Sequence, residues 1–285
     1  METQVAQTVR QEGIQVEVAA QSAPNSIPAL RERRADGRLG WLWPLTMNFI
    51  RFPLLIAGFF IALAIYQAAG NPDAQTAALL TSNFYITFVA EIPCVLLLIW
   101  LTRREGIRLR DLVGRGRNVA LDVLWGLLLA IPLLILFFLA NALAALIVYG
   151  PSAFTATSAS AGAINTYGVP VWIFWWSAIV LPFSAGIAEE LTYRGYALPR
   201  FVALFGRAWP AILLMSLGFA TQHIAFALNS PDAALARFLG ILFIAPVFAL
   251  IYLWQKRLLP LITAHVFIDI VGLGLPALFV ALSVR

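Results

Sequence analysis

Residues 121–149 read LDVLWGLLLAIPLLILFFLANALAALIVY, and after Asp122 the run holds no charged residue. A helix needs about 20 predominantly apolar residues to cross the hydrocarbon core of a bilayer. This stretch exceeds that length, and a soluble fold could not hide it. Six more stretches have the same character: 52–69, 78–101, 170–204, 207–228, 238–254 and 258–282. Across all 285 residues the chain is 61% hydrophobic and 12% charged, where a soluble domain carries about 25% charged residues. A single core stops growing near roughly 250–300 residues, so in water the surplus apolar surface would stay exposed. The expected architecture is therefore all-α: a polytopic transmembrane helical bundle of about seven spans. The last span contains Val271-Gly272-Leu273-Gly274, a candidate break.

The connecting loops carry a charge pattern that this assignment could have failed. Arg31, Arg33, Arg34 and Arg38 precede the first span, and no Lys or Arg lies between the first and second. Arg103, Arg104, Arg108, Arg110, Arg115 and Arg117 follow the second span, whereas 150–169 is uncharged. Arg200 and Arg207 flank the next turn, and Lys256 with Arg257 precedes the seventh span. Positive charge collects in cytoplasmic loops, so the alternation predicts a cytoplasmic N-terminus. The same distribution accounts for the net charge of +5 without nucleic acid, whose binding is not expected. The partners implied are membrane lipids.

Residues 1–40 are rich in Gln, Glu, Ser and Arg. They are expected to form a disordered polar cytoplasmic tail ahead of a membrane domain over 41–285. Trp41 and Trp43 suit an interfacial helix at the headgroup level. The single cysteine, Cys94, lies in an apolar run and reads as a small buried hydrophobe. No internal repeat and no paired broken helices are visible, which weakens a secondary-transporter reading.

An ionisable group inside a span is costly and calls for a reason. The candidates are Glu91, Glu189, Glu190, Arg194, His223, His265 and Asp269, and the chain's only two histidines are among them. Arg51 and Asp122 fall at span ends, where snorkelling explains them. In Glu189-Glu190-Leu191-Thr192-Tyr193-Arg194 the spacing pairs Glu190 with Arg194, four residues on. Glu189 points about 100° away, on the face of Tyr193, and is left without that partner. The two carboxylates thus divide the work: one structural, the other free to act as a general base. Glu91 has no motif around it and reads as a structural hydrogen bond or ion pair.

Depth supports one common site. Gly206 is a natural helix terminator and Pro210 suits the first turn of the next helix. Glu189 and His223 lie equally far from Gly206 in sequence, at about 25 Å for 1.5 Å per residue, so an antiparallel hairpin brings them level. Pro199 could kink the hairpin and disturb that estimate. His265 and Asp269 are four apart and share a helix face. A single site toward the cytoplasmic side can hold Glu189, His223, His265 and Asp269.

At these residues the sequence resembles the CPBP family, the CAAX proteases and bacteriocin-processing enzymes that include the CAAX-prenyl endopeptidases. The family pattern is Glu-Glu-x-x-x-Arg, Phe-x-x-x-His and His-x-x-x-Asn or Asp. Here it stands as Glu189-Glu190 with Arg194, Phe219 to His223, and His265 to Asp269, all within about 170–275. The resemblance implies an intramembrane endopeptidase that cleaves a membrane-associated or lipidated protein or peptide, including prenylated ones. It implies that Glu189 activates water, His223 assists, and His265 with Asp269 stabilises the oxyanion, supported by Glu190, Arg194, Tyr193 and Phe219. Asp269 stands where the family's CAAX enzymes carry Asn, and an ionised Asp accepts hydrogen bonds only. It can orient His265 or ligate a metal. His223, His265 and Asp269 are then candidate ligands of Zn2+, with Glu189 as a separate base. Metal-free catalysis is the alternative, and the sequence leaves both open. A non-catalytic membrane immunity or scaffold protein and a proton-coupled transporter are the rival functions.

Overall fold

The computed structural model describes residues 23–114, 118–153 and 166–284, and among them helices are the only regular secondary structure. In chain order these are α1 (Ile27–Ala35), α2 (Leu42–Ala68), α3 (Ala74–Leu80), α4 (Ser82–Arg104) and α5 (Val119–Tyr149). The pair α6 (Val171–Ile179) and α7 (Leu181–Phe205) follows, then α8 (Ala208–His223), α9 (Pro231–Gln255) and α10 (Leu259–Ser283). Six helices, α2, α4, α5, α8 with its continuation to Phe226, α9 and α10, are long and apolar enough to span a membrane. Helices α6 and α7, bent by 48° at their junction, make a seventh span when taken together. Each of the seven apolar stretches thus has its helix, and the all-α membrane bundle read from hydropathy is borne out.

Proline shapes these helices. The α6–α7 bend falls at Val180, two residues before Pro182, whose ring cannot sit over the carbonyl one turn back. Elsewhere the chain accommodates proline by widening. Helices α4, α7 and α10 contain π-helical segments at Thr87–Glu91, Leu191–Ala197 and Ile270–Gly274. Each ends one residue before an X-Pro pair, with Pro93, Pro199 and Pro276 respectively. A π-turn gives the backbone one extra residue per turn and relieves the steric clash that a proline imposes on a tight helix. The glycine-rich 271–274 stretch therefore widens α10 without breaking it. Pro199 likewise leaves α7 continuous. It also deprives the Gly195 carbonyl of its usual donor, and Asn25 Nδ2 supplies the bond at 3.0 Å.

That bond belongs to a correction. The polar tail expected to be disordered through residue 40 is helical over Ile27–Ala35, while residues 1–22 lie outside the described part. Pro28 sits in the first turn of α1, and Ser26 caps it by accepting from the Ala29 amide. Leu30 is completely buried in the packing of α1 on the last turns of α7. Glu105, just past α4, ties the ends together: it accepts from Arg33 at 3.2 Å, from Tyr196 Oη at 2.9 Å and from Arg200 at 2.5 and 3.1 Å. A composition count registers these arginines as solvated charge, because their partner lies some 70 to 95 residues away.

Helix α5 packs on α9 and α10, α8 on α7 and α9, and α7 on α10. The main core includes Leu98, Tyr193, Phe201, Met215, Ile244 and Leu261, whereas Leu128, Ile131, Ile135, Phe138 and Leu139 of α5 face outward. An exposed apolar band of that extent is stable in lipid. Cys94 is buried and unbridged. Gly206 has φ +73° and ends α7 in the left-handed conformation, which makes the tight turn into α8. Gly186 brings α7 and α10 together, since a Cβ there would lie 2.8 Å from Val266 Cγ2 and 3.1 Å from the Val266 amide nitrogen.

Gly186→Leu is accordingly expected to force α7 from α10 and to destabilise the protein by about 1–3 kcal/mol. This should appear as a lower unfolding temperature in detergent. Gly40→Ala, where a Cβ meets nothing within 4 Å, should leave that temperature unchanged.

Candidate active site

Glu189 and Glu190 lie at the point where α7 passes from α-helix into its π-segment, and every residue from Ala188 to Leu204 is buried. Two carboxylates in such surroundings need partners, because a desolvated charge left unpaired costs several kcal/mol. Glu190 has them. Its Oε1 accepts from Arg194 Nη1 at 3.0 Å and from His265 Nδ1 at 2.9 Å. The Arg194 guanidinium lies between two aromatic faces, 4.3 Å from the Phe219 ring and 5.2 Å from that of Phe248, a cation–π arrangement that suits a buried cation. The Glu190–Arg194 pair inferred from spacing is present. Phe219 also meets Tyr193 and His223 edge-on, each at 4.9 Å.

Glu189 differs from its expectation. It is not unpaired: Arg51 Nη2 of α2 donates to its Oε1 at 2.9 Å, and Gln222 Nε2 of α8 donates to the same oxygen at 3.1 Å. Arg51 Nε in turn donates to Gln222 Oε1 at 2.5 Å, which closes a three-residue ring. Arg51 is completely buried and does not snorkel. The misreading came from the span boundary: α2 begins at Leu42, ten residues earlier than the apolar run suggests, so Arg51 lies well inside it. Asp122 is likewise buried rather than snorkelling, and it pairs with Arg257. Glu91, on the π-segment of α4, is buried beside Thr87 and Ser184, with Arg51 acting on it at longer range.

The second carboxylate oxygen of Glu189, Oε2, is 3.7 Å from His265 Nε2, and His265 Nε2 is 3.7 Å from Asp269 Oδ2. At this separation neither contact is a direct hydrogen bond. The hydrogen-bond partners fix the histidine tautomers. His223 Nδ1 lies 2.8 Å from the Phe219 carbonyl, which can only accept, so Nδ1 carries the proton and Nε2 keeps its lone pair when the ring is neutral. His265 Nδ1 donates to Glu190, which turns its Nε2 toward Glu189 and Asp269. Glu189, His223, His265 and Asp269 all line one cavity of about 60 Å³, together with Asn83 and Arg237. That space suffices for a few water molecules. Glu189 and His223, set level by the equal-depth estimate from Gly206, thus line the same cavity. A second cavity of about 250 Å³ adjoins it. It is walled by Phe137, Phe138, Ile244, Phe248 and Ile268 and shares His223, His265, Asp269 and Arg237.

The three-ligand metal set does not form. Among the described residues, no three His, Cys, Asp or Glu side chains converge as ligands of one ion. The Arg237 guanidinium borders the same cavity, a like charge that disfavours a cation there. Three residues of the site escaped the sequence reading. Hydropathy puts Arg51 at a span end, the Phe-x-x-x-His motif gives Gln222 no role, and Arg237 lies one residue ahead of the apolar run 238–254. Only Arg237 carried a usable signal, since α9 begins at Pro231 with Ser230 as its cap, a helix start that places Arg237 within the span.

Residues 170–271 match the family described as Rce1-like, type II CAAX prenyl endopeptidase. The resemblance read from the three motifs is thereby borne out over the segment that carries them. At the level of family the match supports a CAAX-type intramembrane protease. Neither the curated proteins nor the solved structures gave a match.

Removing one member of the Arg51–Glu189 pair strands the other. Arg51→Met is expected to cost about 3–5 kcal/mol. The double variant Arg51→Met/Glu189→Gln should recover more than half of that loss, measured as unfolding free energy in detergent across the four members of the cycle.

Proposed function

We propose that this protein is an intramembrane endopeptidase in which Glu189 activates the water that attacks a peptide bond. The observation that carries this is the asymmetry of the Glu189 carboxylate. Arg51 and Gln222 hold Oε1, while Oε2 is turned to a cavity shared with two imidazoles and a second acid. A general base needs a fixed position and one uncommitted lone pair within reach of water, and this carboxylate has both.

In the proposed reaction a water in the smaller cavity gives a proton to Glu189 Oε2 as its oxygen bonds to the peptide carbonyl carbon. His223 Nε2, with its lone pair directed by the Nδ1 contact to Phe219, accepts a hydrogen bond from the same water. His265, protonated on both ring nitrogens in this proposal, is oriented through Nδ1 by Glu190 and presents Nε2 as an N–H donor to the developing oxyanion, the interaction that usually contributes most to such a step. Asp269 lies on the same Nε2 side of His265, at 3.7 Å; as an acceptor-only side chain it orients the ring and favours its protonated form, and it gives no hydrogen bond to the oxyanion. Collapse of the tetrahedral species breaks the C–N bond, and the proton held by Glu189 passes to the leaving amine. Glu190, Arg194, Tyr193 and Phe219 hold the reacting groups in place.

The substrate in this proposal is a membrane-associated peptide or protein tail, prenylated as the family description suggests, with apolar side chains seated in the larger aromatic-walled cavity. The arginine alternation supports a cytoplasmic N-terminus, with the site opening to the cytoplasmic side.

Glu189→Gln keeps the shape of the side chain and removes the base; it is expected to lower kcat by about a hundredfold or more. His223→Ala should do the same while elution and unfolding temperature stay near wild type. Cleavage of a prenylated peptide in detergent, followed by mass spectrometry, checks both. Full activity in both variants would overturn the mechanism.

A further inference from the structure

Buried arginines in this protein come with carboxylates: Arg51 with Glu189, Arg194 with Glu190, Arg200 with Glu105. Arg237, half-buried with its Nε enclosed, stands in contrast. It projects from α9 and lines both the small cavity that holds Glu189 and the larger apolar one beside it. Among the described residues it has no ion-pair partner, and its buried Nε has no hydrogen-bond partner. Phe226 approaches its guanidinium only at 6.0 Å, and Asp269 acts on it at longer range. A guanidinium with an enclosed nitrogen and no anion in direct contact is costly. Its planar fork of donors matches a carboxylate better than any other common group.

We infer that Arg237 is the carboxylate-binding residue of the substrate site, an inference that rests on the protease reading above. An anion paired with Arg237 lies at the junction of the two cavities. The apolar residues next to that anion then fill the chamber walled by Phe137, Phe248 and Ile268, and the bond to be cut falls beside Glu189 and His223. The carboxylate comes either from the end of the peptide chain or from an acidic side chain. In both cases Arg237 sets which bond is presented, so it governs specificity and leaves the chemistry to the other groups.

The test is binding, measured on the His223→Ala protein so that nothing is cleaved and the Arg51–Glu189 pair stays intact. The probe is a fluorescein-labelled, S-farnesylated peptide ending in cysteine, two aliphatic residues and one more residue. Three forms are compared by fluorescence anisotropy: free C-terminal acid, C-terminal amide, and the amide with Glu as last residue. A charge-assisted bond to a desolvated carboxylate is worth about ten- to a hundredfold in Kd. The free acid should therefore bind that much more tightly than the plain amide, and adding Arg237→Gln should erase the difference. Recovery by the Glu-bearing amide would support the same residue with a side chain as the anion's source. Arg237→Lys keeps the charge but not the fork and should retain only part of the preference. Equal affinity for all three peptides without any change at Arg237, or an acid preference that survives Arg237→Gln in a monodisperse protein, overturns the inference. Cleavage without carboxylate preference would remove Arg237's role and leave the protease standing. Carboxylate preference without cleavage by the wild type would do the reverse.

Discussion

An anion has to be kept in a place that repels anions, and much of the site's construction follows from that. Glu189 sits deep among apolar helices, where Coulomb attraction is strong but desolvation is stronger unless each lone pair is answered. Arg51 and Gln222 answer one oxygen from two different helices. With that oxygen satisfied, the other can be spared for a reaction. The neighbouring Glu190 meets the same difficulty through Arg194 and His265. Adjacent residues on one helix thus end with different duties because different helices reach them. Arg51 lies outside the 170–271 segment that matches the family, so the site draws on a span that the match does not include.

The membrane architecture was readable from hydropathy because lipid leaves little choice: with no water to satisfy the backbone, apolar runs of sufficient length become helices. The central site was readable for a related reason, since charge in such a run is rare enough to count. Glu189, Glu190, Arg194, His223, His265 and Asp269 stand out that way, and the four that depth arithmetic sets together, Glu189, His223, His265 and Asp269, line one cavity. The arithmetic failed for Arg51 because hydropathy marks where an apolar run begins, while a helix starts where its backbone is first satisfied. Trp41-Leu42-Trp43-Pro44 extends α2 backward and carries Arg51 inward. The ring of Arg51, Gln222 and Glu189 was also out of reach, because its members are as far as 171 residues apart in sequence and no local spacing relates them. The tail was misjudged in the same way. Its arginines look solvated until Glu105 and the Ala203 carbonyl are seen beside them.

Prolines carry more of the structure than their usual role as breakers suggests. Three of them follow π-segments, and those segments hold Glu91, the stretch after Glu190, and the stretch after Asp269. A widened turn changes which residues share a face beyond it. That limits spacing arguments to one side of each segment. Pairs that fall within a helix's ordinary part, such as His265 and Asp269, keep the geometry their spacing implies.

Asn25 has a consequence for the order in which the protein is assembled. Its amide satisfies the Gly195 carbonyl and its oxygen receives Arg200, across separations of 170 and 175 residues. The leading arm must therefore wait, undocked, while most of the chain is made and threaded into the bilayer. Only once α7 has arrived can the arm fold down on it. Contacts between such distant points form late, since a long loop must close before they are rewarded. The arm is a clasp fastened last, and the helix that bears the two glutamates is finished only when it shuts.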